Sequence, residues 1–250
     1  MPANAWIPLL TTQVCLLFSL TLWRDALRKR RPHLVSWGIA LACFTVGAFA
    51  LWYGTAFGWS GASFRAYYLF GALLGVPWLG LGQLQLLTGP RVWGTVLGVV
   101  VLLSLFAGPV LAEVPFVADQ GVHGFGLPDG HLLFGPVARA LVAVGNAGGT
   151  LLLVAGVALS VRRLHTASSA AARARRDGVV LVLIGAVVAG SGGVLAFLGD
   201  AAAHGLAVLI GVSLIAAGHV VTGRVRVGRH RGVGRHAAPA AGAAGLAGEA

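Results

Sequence analysis

Seven apolar stretches, each long enough to cross a lipid bilayer, constrain this sequence of 250 residues more than any other feature. A spanning helix needs about 20 mostly apolar residues, because lipid offers no partner for backbone polar groups. Only 10% of the residues are charged, against about a quarter in soluble domains. We therefore predict an all-α integral membrane protein, a bundle of seven transmembrane helices. The predicted spans are Ala5–Trp23, Leu34–Tyr53, Ala66–Leu87, Val92–Ala112, Pro136–Val161, Gly178–Leu198 and Ala201–Thr222.

The basic residues predict an orientation for the bundle. Of the 18 lysines and arginines, all except Arg65 and Arg139 fall in segments that alternating spans place on one side. Positive residues stay cytoplasmic, so we expect the N-terminus outside, the C-terminus in the cytoplasm, and a multi-pass protein of the bacterial cytoplasmic membrane. The first stretch is predicted to be a span rather than a cleaved signal peptide, because a basic cluster follows it and no basic residue precedes it.

Composition divides the chain into two predicted domains, the seven-helix domain 1–223 and a cytoplasmic tail 224–250. The tail is rich in Arg and Gly and then in Ala and Gly, a composition that predicts disorder. The net charge of +11 comes from basic residues confined between apolar runs. We therefore expect anionic membrane lipids as partners and no nucleic acid.

Small residues predict which helices pack closely, because association in lipid depends on close backbone approach. They recur at every fourth position on three spans: Gly71 and Gly75, Gly145 and Gly149, and Gly185, Ala189 and Gly193. This pattern places the third, fifth and sixth spans inside the bundle. The fourth, Val92–Ala112, has few polar groups and is predicted to face lipid.

Pro77, in the middle of the third span, is predicted to kink its helix, because it lacks the amide that would bond to the carbonyl of Leu73. Polar and special residues of several spans share its depth: Gln13, Thr45, Asn146, Ser191 and Ser213. They form either polar contacts between helices or the lining of an outward-opening pocket, and both interpretations remain open. The candidate ligand-binding residues are Arg65, Pro77, Asn146, Ser191, Asp200 and His204.

No pattern of catalytic, cofactor or metal-binding residues emerges. His204 and His219 share the seventh span, and no other predicted span offers a partner histidine for haem. There is no G-x-S-x-G nucleophile motif and no glycine-rich phosphate loop between a strand and a helix. Lys29, the only lysine, lies in an inner segment, which excludes a retinal Schiff base in the seventh span. We expect no enzymatic activity, cofactor or metal.

The region from Trp23 to about Gly223 resembles the seven-helix sensor region that precedes many bacterial histidine kinases. The resemblance rests on the basic stop WRDALRKRRPH, a second span ending in WY, a third reading FRAYYLFGALLGVPWLGLGQLQLL, and a turn at Thr88 and Gly89. It implies an outward-opening bundle that senses a small or lipidic ligand. After Thr222 there is no dimerising helix, phosphoacceptor histidine or ATP-binding domain, so output is expected through a separate membrane or cytoplasmic signalling partner.

Two alternatives remain beside a non-enzymatic sensor or scaffold. A small-solute transporter or channel would have three spans, an inverting span and three more. Pro8 and Pro77 belong to the first half, whereas the second half has no proline inside a span after Pro136, which disfavours that alternative. A metal-dependent membrane enzyme is the third, with an outer site drawn from a spread set of ligands: His123, Asp129, His131 and His204.

Overall fold

The computed structural model describes residues 5–116, 122, 124–128, 130–165, 173, 176–178, 180–182, 184–189 and 201–233. Every regular element in this part of the chain is helical. The elements are α1 (Trp6–Lys29), α2 (Pro32–Phe57), α3 (Gly61–Ala66), a π-helix (Tyr67–Leu74), α4 (Gly75–Gln85), α5 (Pro90–Glu113), α6 (Gly130–Leu133), α7 (Pro136–His165) and α8 (Ala201–Val233).

The prediction of a helical membrane protein is confirmed. Within the described residues, six helices are long and apolar enough to cross a bilayer. They are Trp6–Lys29, Pro32–Phe57, Gly61–Gln85, Pro90–Glu113, Pro136–Ser160 and Ala203–Val221. The predicted sixth span, Gly178–Leu198, lies partly outside the described residues; its described part, within 178–189, is helical.

The helix ends follow from local sequence. Pro32 and Pro90 begin α2 and α5, positions where a missing amide costs nothing and the fixed φ suits a helix. Arg30 ends α1 in the left-handed conformation, with φ 47°. Ser60 and Ser63 form a reciprocal capping box that starts α3.

The last helix extends further than predicted. It continues from the membrane region to Val233, although the sequence predicted disorder from residue 224. No proline interrupts the chain between Thr222 and Val233, so the backbone hydrogen bonds can continue. Residues 234–250 of the predicted tail lie outside the described residues.

The third span, Gly61–Gln85, lies at the centre of the bundle. It is the most buried of the six, at 56%, and it packs against α2, α5 and α7. The fourth span is the least buried, at 17%, which agrees with its predicted place at the periphery. On the far side of α2, α1 packs against both α2 and α8.

The predicted glycine contacts are confirmed where the structure describes them. A methyl group on Gly47 of α2 would lie 2.5 Å from Cα of Gly71, so the two backbones touch. A methyl on Gly145 would lie 2.6 Å from the Leu73 side chain. A methyl on Gly185 would lie 2.5 Å from the carbonyl oxygen of Gly211 in α8. Gly193 lies outside the described residues.

Pairs of contacts give the relative directions of the helices. Between α1 and α8, Thr11 bonds to the Gly205 carbonyl and Asp25 lies 3.9 Å from His219, so these helices are parallel. Between the third span and α7, Leu73 lies beside Gly145 and Gln83 beside Gly156, which is again a parallel pair. We call the end of the bundle that holds residues 59–68 the aromatic end. The end that holds residues 25–31 is the basic end.

Candidate functional site

A π-helix interrupts the central span over Tyr67–Leu74. Pro77 follows one turn later, inside α4, where its lack of an amide already weakens the regular hydrogen-bond pattern. The sequence predicted a kink at Pro77, and the irregular helix lies in the turns just before it. Because π-helical turns are rare and often occur at functional sites, this segment is a candidate for one.

A hydrogen bond of 3.2 Å joins the Tyr67 hydroxyl to Nε2 of His204. It connects the start of the π-helix with the first turns of α8, and the two rings stand nearly perpendicular at 87°. Only 8% of Tyr67 is exposed. The contact is a polar pair between two helices of an apolar bundle.

Packed aromatic rings hold Tyr67 in place. They form the aromatic cluster, which consists of Trp59, Phe64, Tyr67, Tyr68, Phe116 and Phe134. Phe64 is at its centre, 1% exposed, with ring centroids 5.7 Å from Trp59 and 5.6 Å from Phe134. Rings at these separations attract beyond their area of contact, so the cluster restricts where Tyr67 can move.

Trp59 adds a hydrogen-bond donor beside Tyr67. Its ring lies directly over Gly54, where a side chain would clash, and its centroid is 5.8 Å from that of Tyr67. Among the described residues, its buried indole Nε1 has no acceptor. A buried donor without a partner costs about 1–3 kcal/mol, so an oxygen atom placed there would be favoured.

Arg65 belongs to a different side of the third span. Its guanidinium donates a hydrogen bond to the Leu111 carbonyl near the end of α5, and Cζ lies 4.3 Å from the centroid of the Phe116 ring. Since residues two apart on a helix differ by about 200°, Arg65 points away from Tyr67. The structure therefore places this predicted site residue against α5, and His204 against the opposite face.

The other predicted site residues divide between the described and undescribed parts of the chain. Pro77 packs on α7, where a methyl on Gly149 would lie 2.6 Å from the Pro77 nitrogen. Asn146, one turn before Gly149, is half-buried. Pro77 therefore contacts the helix that carries Asn146. Ser191 and Asp200 lie outside the described residues.

Other polar residues predicted at this depth turn back to their own helices. Thr45 donates to the Leu41 carbonyl and Ser213 donates to the Leu209 carbonyl, each at 2.7 Å. Gln13 is exposed on α1. None of these three side chains forms a described hydrogen bond between helices, so they contribute little to holding the bundle together.

Polar contacts between helices concentrate instead near the basic end of the third span. Gln83 donates to the Ser160 hydroxyl of α7 at 3.2 Å, and Gln85 accepts from Ser36 of α2 at 3.0 Å. Trp37 donates to the Leu79 carbonyl at 3.2 Å. The same span is thus fixed to His204 at one end and to α2 and α7 at the other.

The histidines and acids do not assemble a metal site in the part of the chain that the structure describes. No group of three or more His, Cys, Asp or Glu side chains is placed there to hold an ion. His123 and Asp129, two of the ligands considered from the sequence, lie outside the described residues.

Comparison of the chain with protein-family models, with curated proteins and with solved structures finds no match. The class of protein therefore follows from sequence and geometry: a helical membrane protein in which six described helices are long and apolar enough to cross a bilayer, with a π-helix in the central one. The resemblance to kinase sensor regions stays a prediction.

Proposed function

We propose that this protein is a non-enzymatic, sensor-like or scaffold membrane protein. It binds a small or lipidic ligand at the aromatic end of the bundle and signals through a separate partner. The observation that carries the proposal is the partly buried hydrogen bond between Tyr67 and His204, which joins the π-helical centre of the bundle to its last helix. A ligand that replaces this bond acts on both helices at once.

The surroundings of that bond favour an apolar ligand with an oxygen acceptor. The aromatic cluster offers apolar surface, the Trp59 indole offers a buried donor, and His204 and Tyr67 offer further polar groups. Ligands of this kind commonly bind in apolar sites with a few directed polar groups. In this proposal the ligand contacts Tyr67, Trp59 and His204, whereas Arg65 lies on the opposite face of the third span and Pro77 packs on α7.

The proposed topology has seven spans, the N-terminus outside and the C-terminus in the cytoplasm. The directions of the helices support the count. α7 runs parallel to the third span. The third span and α1 are each antiparallel to α2, so they are parallel to one another. Since α1 is parallel to α8, the helices α7 and α8 run in the same direction. A chain that leaves α7 and enters α8 in the same direction has to cross the bundle once between them. The helical residues near Gly185, packed on Gly211, fit that return crossing.

We expect a fluorescent protein fused after Ala250 to be bright in a bacterial host. The basic segments place the C-terminus in the cytoplasm, where such a reporter folds. A periplasmic phosphatase fused at the same position should be inactive, and the same pair fused after Glu113 should give the opposite pattern. Phosphatase activity from the Ala250 fusion would contradict the topology.

We expect a bound small molecule or lipid to copurify with the wild-type protein and to be lost from Tyr67→Phe. Removing the hydroxyl leaves the ring in the aromatic cluster but takes away the bond to His204. Native mass spectrometry of protein extracted with its surrounding lipid gives the bound mass directly. Tyr53→Phe is the matched control, because Tyr53 is 43% exposed at the same end of the bundle.

Equal ligand occupancy in Tyr67→Phe and Tyr53→Phe would contradict the proposed site. Asn146→Leu distinguishes the two interpretations of the deeper polar residues: a pocket loses ligand, whereas a packing contact loses only thermal stability. Solute uptake by proteoliposomes would favour the transporter. Stoichiometric zinc that disappears in His123→Ala or His131→Ala would favour the metal-dependent enzyme.

A further inference from the structure

We infer that the third span has two helical registers and that the π-helix Tyr67–Leu74 is the element that switches between them. The inference rests on the proposed function, because it describes how occupancy of the Tyr67–His204 site reaches the basic end. The third span is fixed at both ends by directed contacts, and a π-helical segment lies between those ends.

The π-helix makes those two sets of contacts compatible. Its turns hold more residues than α-helical turns, so the segment absorbs an extra residue without lengthening the span. With that residue absorbed, Tyr67 meets His204 while Gln83 meets Ser160 and Gln85 meets Ser36. A regular α-helix of the same sequence can form the contact of Tyr67 or the contacts of Gln83 and Gln85, but not both sets at once.

Conversion of the π-helix to an α-helix moves the basic half of the span by one residue. With the aromatic half fixed, that half turns by about 100° and advances by about 1.5 Å. The place of Gln83 opposite Ser160 is then taken by Gly82. The place of Gln85 opposite Ser36 is taken by Leu84. Both hydrogen bonds between helices are lost.

The same shift reaches α2 and α8 through Trp37. Gly82 leaves space for the Trp37 indole, which lies where a side chain on Gly82 would be. In the shifted register Leu81 enters that space, so the indole has to leave the Leu79 carbonyl. Trp37 also contacts the ring of His219 in α8, with centroids 6.2 Å apart. Movement of Trp37 therefore changes the basic end of the last helix.

The Tyr67–His204 bond holds the native register. π-Helical turns are rare because their packing is poorer than that of α-helical turns, so the segment needs contacts at both ends to persist. Because Tyr67 is the first residue of the π-helix, its bond to His204 supports the π-helical register, whereas Phe64 and Arg65 hold the aromatic half before it. A ligand that takes this bond from Tyr67 or His204 removes support from the π-helix and leaves the aromatic half in place. The π-helix then relaxes, and the change appears at the basic end as the one-residue shift.

Cysteine cross-linking at the basic end tests the shift directly. Ser36→Cys is combined with one of three partners: Gln85→Cys for the native register, Leu84→Cys for the shifted register, and Leu86→Cys for a shift in the opposite direction. All three chains lose the Ser36–Gln85 bond and keep the Gln83–Ser160 bond, so they are matched. The native Cys15 and Cys43 are buried, and a chain without added cysteines controls for them. A short bifunctional thiosulfonate is the probe.

We expect Tyr67→Phe, introduced into each chain, to move cross-linking from position 85 to position 84 relative to the same chain with Tyr67, both freed of copurified ligand by detergent exchange. The ratio of the two yields should change by about fivefold, the factor for one lost contact of about 1 kcal/mol. The yield at position 86 should stay constant. Unchanged yields, or a parallel rise or fall at all three positions, would overturn the inference, because neither result is a register shift.

Deletion of Ala72 gives a second test. Removing one residue from the π-helix makes a regular α-helix compatible with both ends, so Tyr67→Phe should no longer alter the ratio. A persistent change in the deletion variant would overturn the inference. If the deletion variant does not fold, the cross-linking yields of the three cysteine pairs in the chain without the deletion remain the test. Loss of copurified ligand in Tyr67→Phe without any change in cross-linking would keep the proposed function and overturn the switch alone.

Discussion

Gly149→Ala is expected to cause one of the largest losses of stability that a single added methyl group can cause in this bundle. The methyl carbon would lie 2.6 Å from the Pro77 nitrogen and 2.7 Å from the Val76 carbonyl carbon. Both are backbone atoms, which cannot rotate away, so α7 and the third span have to separate. Overpacking of this kind costs about 1–3 kcal/mol, and fluorescence-detected thermal unfolding of the detergent-solubilised protein measures the loss.

Gly148→Ala is the matched control for that substitution. A methyl group at Gly148 meets no described atom within 4 Å. Because alanine is the better helix former, Gly148→Ala should unfold at the same or a slightly higher temperature than the wild type. If the two variants unfold at the same temperature, the close approach of α7 to Pro77 is wrong.

Phe64→Ala is expected to have the second large effect. Phe64 is 1% exposed and its ring lies 5.6 Å from that of Phe134 and 6.3 Å from that of Tyr67. Truncation of a buried phenylalanine costs about 3–5 kcal/mol, and the cavity would leave Tyr67 free to move away from His204. We therefore expect both a lower unfolding temperature and loss of copurified ligand.

Phe106→Ala controls for the general effect of removing a phenylalanine. Phe106 is 64% exposed on α5, the least buried span. Its truncation should leave both the unfolding temperature and the ligand nearly unchanged. A Phe64→Ala protein as stable as the Phe106→Ala protein would contradict the description of the aromatic cluster as the packed end of the bundle.

The spans could be predicted from the sequence because lipid imposes one requirement on every segment. A membrane helix has to satisfy its own backbone and present apolar side chains over about 20 residues, and both properties are visible locally. The contacts of Gly71, Gly145 and Gly185 were predictable for a related reason. Without a hydrophobic driving force between helices, small residues mark the places where backbones meet.

The π-helix and the Tyr67–His204 bond could not be predicted in this way. The two residues are 137 positions apart, and their meeting depends on the rotation of both helices about their axes. Tyr67 is an aromatic residue near the start of a predicted span, where such residues are common as interfacial anchors. The only local sign of a functional contact was that Tyr67 lies in an apolar run that contains Gly71, Gly75 and Pro77.

The contacts of Arg65, Gln83 and Gln85 could not be predicted from the sequence for the same reason. Arg65 is two residues from Tyr67 in sequence, but it binds the end of α5, a partner that only the tertiary structure reveals. Gln83 and Gln85 lie near the end of the predicted third span, Ala66–Leu87. Their bonds to Ser160 and Ser36 depend on the register that the π-helix sets.

The most direct measurement of the proposed site is an experimental density map of the wild-type protein in its native lipid, at side-chain detail. We predict additional density of a small molecule or lipid against Tyr67, Trp59 and His204. Protein atoms alone around Tyr67 and His204 would contradict the proposal.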